Sequence, residues 1–156
     1  MKTSAPSLRL DPSAETIPVG NLTIRFLVTA GDSLGSLAAF EMSVPGGGKL
    51  MGPAHSHDHY EETIYGLAGI ITFTINGQPF DIGPGQALCI PRGAVHRFDN
   101  PRPDAPRALC VITPAAIGPE FFREVAATMA ASAGGPPDKA KMMEIMRRHG
   151  LTAASA

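Results

Sequence analysis

Glycine and proline interrupt this chain at short intervals, and that spacing limits what it can become. GDSLGS (31–36), PGGG (45–48), Asn76-Gly77, GPGQ (83–86) and the PRG of 91–93 leave only short runs between them. Helices of ordinary length do not fit between such breakers, whereas strands do. The runs also alternate in character. Ile24, Phe26 and Val28 are separated by Arg25 and Leu27; Phe40, Met42 and Val44 by Ala39, Glu41 and Ser43; Ile71, Phe73 and Ile75 by Thr72 and Thr74. Period-two alternation is the mark of a strand with one buried face. Asn76-Gly77 follows Ile75 directly, and Asn-Gly suits the type I′ hairpin turn, whose two central residues need positive φ. Further strands are expected at 62–68, after Gly77, and at 87–90, 95–98 and 108–113. Eight or more short strands separated by turns predict an all-β sandwich or barrel.

Past Pro114 the period changes. Residues 118–132 carry Phe121, Phe122, Val125 and Met129 at helical spacing, and GGPP ends that run. Residues 138–151 place Met142, Ile145 and Met146 on one face, with cations in the last turn and Gly150 as the C′ residue. Three segments follow: an extended arm (1–18), a β-barrel (19–114) and a helical segment (115–156) packed on the barrel or on a partner chain.

Of the 156 residues, 44% are hydrophobic and 17% charged, with a net charge of −1. This is a globular composition without the basic footprint of a nucleic-acid binder, and the tail lacks the basic face of a recognition helix. No apolar run reaches membrane-spanning length, and the first twenty residues lack a signal peptide's apolar middle. The expectation is a cytoplasmic protein. Cys89 and Cys110, outside any CxxC spacing, fit that compartment as reduced thiols.

Two stretches carry chemistry. In HSHDHYEE (55–62), three of the five histidines fall together, with two glutamates after them. On a strand, His55 and His57 point to one side, and a carboxylate from the next strand can reach the same point. Two imidazoles and a carboxylate suit a borderline divalent metal; a solvated His-rich turn is the alternative. The second stretch runs from Gly85 through Pro91 and Gly93 to His96 and Asn100. There a tight turn is followed by a lone histidine on a strand.

Together these stretches resemble the two motifs of the cupins, a family of small β-barrels. His55-Ser56-His57, then Glu62 after four intervening residues and Gly69 after six more, match the first motif; Gly85, Pro91, Gly93, His96 and Asn100 match every position of the second. The first motif's opening glycine falls on Lys49, one residue after Gly48. The resemblance implies a cupin-type double-stranded β-helix, or jelly-roll, with a short C-terminal helical tail. It also implies one divalent transition metal (Fe, Mn, Ni, Cu or Zn) held by His55, His57, Glu62 and His96. Glu61 stands at the shorter permitted spacing, but only Glu62 places Gly69 correctly, and neighbouring strand residues face opposite ways. His59 is then an outer or solvent-facing turn residue.

Such a set leaves coordination positions open for a small-molecule substrate. Glu62, the one acid of the set, is also the candidate catalytic base. Counting in steps of two, Met51, Ile64 and Phe98 share faces with the ligands, and Phe40, Met42 and Phe73 lie on the apolar faces of their strands. They form the candidate substrate pocket, although each is also a core residue. Apolar, partly aromatic walls suit a flat aromatic or enolisable substrate. The helical tail resembles that of quercetin-dioxygenase-like small cupins. The resemblance implies an oxygenase. The alternatives are a non-catalytic metal-dependent binding or sensing module and a metal-dependent isomerase or decarboxylase. A homodimer paired through edge strands is expected.

Overall fold

The computed structural model describes residues 14–47, 52–132 and 134–154. Its strands are β1 (Thr16–Val19), β2 (Leu22–Val28), β3 (Ala38–Ser43), β4 (His55–His57), β5 (Glu61–Ala68), β6 (Ile71–Ile75), β7 (Gln78–Ile82), β8 (Ala87–Ile90), β9 (His96–Asp99), β10 (Arg107–Thr113) and β11 (Leu151–Ala153). A one-turn helix, α1 (Ala30–Ser33), follows β2, and α2 (Pro119–Ala130) and α3 (Lys139–Arg148) precede β11. The strands form a six-stranded sheet in the order β1-β2-β3-β10-β5-β8 and a five-stranded sheet in the order β11-β4-β9-β6-β7. The result is the expected all-β jelly-roll with a C-terminal helical tail. Among the described residues no helix is long and apolar enough to cross a membrane.

The alternating residues do what their period requires. Ile24, Phe26, Phe40, Met42, Ile64, Phe73 and Ile112 are buried and join one core between the sheets. Each such side chain stabilises the fold by roughly 1.5–3 kcal/mol relative to exposure. Asn76 and Gly77 both take positive φ, 48° and 83°, as the type I′ turn demands. That turn sets the register Ile75↔Gln78, and β6 in turn places Phe73 opposite Phe98 and Ile75 opposite His96. Gly69 also has positive φ, 63°, and an added Cβ would stand 2.9 Å from Pro106.

Several boundaries differ from expectation. β1 takes in residues 16–18, assigned above to an arm, because Ile17 pairs with Ile24 and is buried with it. The rest of that arm lies outside the described residues. GDSLGS is not only a turn: the Asp32 carboxylate accepts from Thr29 N–H at 2.8 Å and closes a turn of helix. The largest difference is at the C-terminus. The second helix ends at Arg148 and Gly150 takes φ 71°, as a C′ residue should, but the residues after it are not a plain tail: Leu151–Ala153 form a strand on β4.

Candidate metal centre

Three of the four candidate ligands come from the five-stranded sheet and one from the six-stranded sheet. β4 carries His55 and His57 two residues apart, and β9 presents His96 directly opposite His55. One ring nitrogen from each lies within 4.8 Å of the others. Glu62 enters from β5, with its Oε2 3.6 Å from His96 Nε2 and 3.8 Å from His57 Nε2. The four side chains thus meet across the gap between the sheets.

Local structure aims each group. His96 follows the Pro91–Gly93 turn, whose Gly93 N–H donates to His57 C=O at 2.8 Å. The motif's last residue, Asn100, is fully buried. Its Nδ2 donates to Pro45 C=O at 2.9 Å and Asp104 C=O at 2.7 Å, and its Oδ1 accepts from Arg102 N–H at 3.1 Å. This side chain ties the end of β9 to two loops. In β5, Glu61 points outward to an ion pair with Arg92, and Glu62 therefore points in. His59 is exposed, as expected of a turn residue. Lys49 and Met51 lie outside the described residues.

Hydrogen bonds decide which nitrogens are free. His55 Nδ1 donates to Pro53 C=O at 3.1 Å, and His96 Nδ1 to Ala94 C=O at 3.0 Å. A carbonyl can only accept, so in the neutral rings both Nε2 atoms carry lone pairs. Backbone anchoring of this kind is usual for metal-ligating histidines. His57 Nδ1 is buried without a hydrogen-bond partner, and its ring stacks on Tyr60 at 4.4 Å. Burial, with the positive charge His55 and His96 can carry, draws His57 down to about 4 despite the Glu62 carboxylate beside it. Burial also lowers His55. Burial pushes Glu62 up, but His96 beside it and the charges the three imidazoles can carry outweigh it and hold the carboxyl below its usual range.

The Nε2 lone pairs of neutral His55 and His96 and an ionised Glu62 therefore face one another in a water-poor interior. Such groups repel unless a cation stands among them. Ligands about 2.1 Å from a shared ion stand roughly 3.0–3.4 Å apart at octahedral to tetrahedral angles. The observed 3.6 and 3.8 Å require only a small contraction. The donor set fits a divalent transition metal.

Four of the expected pocket residues, Phe40, Met42, Ile64 and Phe73, are buried in the core, and Phe98 packs on Phe73 at 5.6 Å. Other neighbours went unforeseen. Tyr60 backs His57, and Leu151 pairs with it across the strands. From α2, Phe122 closes on Phe40 and Phe26 at 5.2 and 5.7 Å. Cys110 is buried on the inner face of β10; burial and then the Glu62 carboxylate push its thiol well up. Cys110 had a usable sequence signal in its alternation with Ala108 and Ile112, and Phe122 in its helical spacing.

A family model, the Cupin domain, matches residues 40–112, the span holding all four candidate ligands. Over that span the chain is similar to the cupin domain. Solved structures share the fold. KdgF from Halomonas sp. aligns with a TM-score of 0.59 and 15% identity over 70% of this chain and 94% of that one. A cupin-superfamily sugar phosphate isomerase from Silicibacter pomeroyi gives 0.57 and 22%, over 69% and 75%. A predicted oxalate decarboxylase from Thermotoga maritima gives 0.56 and 23%, over 65% and 91%. At these identities the likeness is one of fold. A search of curated proteins finds no match.

Proposed function

We propose that this protein holds one divalent transition metal on His55, His57, His96 and Glu62 and acts as an oxygenase on a small aromatic or enolisable molecule bound beside it. The carrying observation is the convergence of three imidazoles and one carboxylate from opposite sheets on one point. A metal bound there supplies Lewis acidity and, if redox-active, electron transfer. The protein supplies the rest. His57 and His96 side chains are 2% exposed and Glu62 13%, so the carboxylate stands toward the more open side. There it can accept a substrate proton as a general base.

Phe40, Ile64 and Phe73, buried beside the site, keep water out, and the half-buried Phe98 offers apolar surface to a flat substrate. Arg25 and Arg107 both turn to Glu41, beside Leu109 on the outer face of the six-stranded sheet. Neither reaches inward, which weighs against a phosphorylated substrate. A second reading, a module that holds a small anion without turnover, draws support from the burial of the two histidines.

The test is oxygen uptake by protein loaded to about one metal per chain, as the four-ligand set requires. Fe(II), Mn(II), Ni(II) and Cu(II) are loaded separately, with flavonols, catechols and β-diketones as substrates. Uptake that depends on substrate and is lost in His96→Ala is expected. No uptake by a fully loaded site with any of these would overturn the oxygenase and favour the binding module or non-oxidative chemistry.

We also propose a homodimer. The edge strand β7 shows an exposed Phe80, and Tyr65 is exposed on the outer sheet face opposite Leu109. Light scattering should give twice 16.3 kDa; a 16.3 kDa species alone would refute it.

A further inference from the structure

The strand that bears two of the three histidines is short, and most of its pairing is with the C-terminus. On one side, β4 meets β9 at a single pair, His55↔His96, with the Gly93 N–H to His57 C=O bond beyond it. On the other side, all three residues pair with β11: Leu151↔His57, Thr152↔Ser56 and Ala153↔His55. Bonds continue past both ends. Ala154 N–H donates to Ala54 C=O at 2.8 Å, and Asp58 N–H to Gly150 C=O at 2.8 Å. Thr152 Oγ1 donates to Asp58 Oδ1 at 2.9 Å, a contact between residues 94 apart in sequence.

The flanking bonds set the alternation of the ladder. Thr152 and Ser56 are its hydrogen-bonded pair, and Leu151/His57 and Ala153/His55 are the close pairs without hydrogen bonds. Residues directly opposite share a face, so Leu151 and Ala153 stand beside the two imidazoles. Leu151 is buried, as are Ile145 and Met146 of α3, which join the same core. Gly150 lies over the Tyr60 ring, where its Cβ, if present, would meet Cε1 at 3.5 Å. The tail is therefore built into the wall behind His57.

We propose that β11 is a positioning element of the metal centre, so that docking of the C-terminal strand and occupancy of His55 and His57 are thermodynamically linked. This rests on the metal reading given above. If the tail fixes the two ligands, a metal on those ligands fixes the tail by the same free energy. The cupin motifs contain no part of this support. It is supplied by residues outside the matched span of 40–112.

The test uses the full chain with Co(II), whose absorption reports ligand geometry, and two measurements. In the first, Thr152→Pro removes the N–H that bonds to Ser56. It should weaken Co(II) binding, measured by chelator competition, by about tenfold or more and alter the Co(II) spectrum. Ile24→Ala, a destabilised variant in the other sheet, should stay within about twofold. In the second, the wild-type chain is followed by amide exchange. Co(II) loading should slow exchange at residues 150–154 far more than at the edge strand β7.

Wild-type affinity and spectrum in folded Thr152→Pro would overturn the proposal. So would a metal-loaded chain whose residues 150–154 are no better protected than β7, and this second result decides the matter if Thr152→Pro does not fold. In both cases the metal reading survives. An intact chain that binds no Co(II) removes the metal reading and this inference together.

Discussion

The two strands that bring histidines to the centre are supported in different ways. β9 pairs with β6 over four residues, starts from the Pro91–Gly93 turn and ends at the buried Asn100. The turn, β6 and Asn100 lie close to His96 in sequence, although Asn100 also reaches back to Pro45. β4 has three residues, one pair with β9 and three with β11. Its two histidines depend on a segment almost a hundred residues downstream. One ligand is thus set by local structure and two by a long-range contact. Local structure of the first kind leaves a motif in the sequence, and a contact of the second kind does not.

The largest expected effect comes from removing a ligand on the locally supported side. His96→Ala deletes a donor and leaves Glu62 without the ring 3.6 Å away. Its loss in metal affinity should exceed the roughly 10–100-fold typical of losing an outer partner. Chelator competition measures it. If His96→Ala binds as tightly as wild type, β9 is not a ligand strand and the comparison fails.

Acid should act first on the long-range side. In metal-free protein, His57 is drawn from 6.5 to about 4 by burial. The unfolded chain then binds more protons than the folded one between those values, so stability rises with pH through that window. His57 contributes its share fully above pH 6.5 and loses it as pH falls toward 4, up to about 3 kcal/mol. Denaturant melts from pH 4 to 7 should show this slope, and His57→Gln should flatten it. The depressed Glu62 acts in the same sense at lower pH, losing its contribution as pH falls through its carboxylate range. An equal slope in His57→Gln would place the proton uptake elsewhere.

Asn100→Ala tests the local side through stability. It leaves Pro45 C=O, Asp104 C=O and Arg102 N–H without their partner. Unpaired buried groups of this kind cost about 1–3 kcal/mol, which equilibrium unfolding would detect. Because β4 does not depend on Asn100, Co(II)-driven protection of residues 150–154 should persist in this variant.

The same contrast explains what could be read from the sequence. Strand alternation, Asn76-Gly77 and the spacing from His55 to Asn100 gave the sheets, the hairpin and the convergence of three histidines, because each is a short-range constraint on backbone direction. β11 was not legible. Leu151-Thr152-Ala153 is too short for any period, and nothing after Gly150 marks a strand in the sequence. Its strand state exists only because β4 presents a free edge to it. Phe122 was legible as an apolar helix residue, but its contact with Phe40 and Phe26 depends on how α2 crosses the barrel. Tyr60 lies in the bend between two strands, where alternation cannot be carried through.

The smallest expected effect separates two adjacent glutamates. Glu61 and Glu62 differ by one position and therefore by one face of β5. Glu61 pairs outside with Arg92, half exposed, and solvent screens such pairs so that they contribute little. Glu61→Gln should leave metal affinity unchanged and barely shift stability. Glu62→Gln keeps nearly the same shape but removes the charge that faces three imidazoles, so Co(II) affinity should fall sharply and its spectrum should change. Chelator competition on the two variants side by side is the measurement. If Glu61→Gln weakens Co(II) binding and Glu62→Gln does not, β5 is shifted by one residue in solution, which would turn Ile64 outward along with Glu62. The burial of Ile64 against the Cys110 strand argues against that shift, because it would expose a side chain that now lies in the centre of the core.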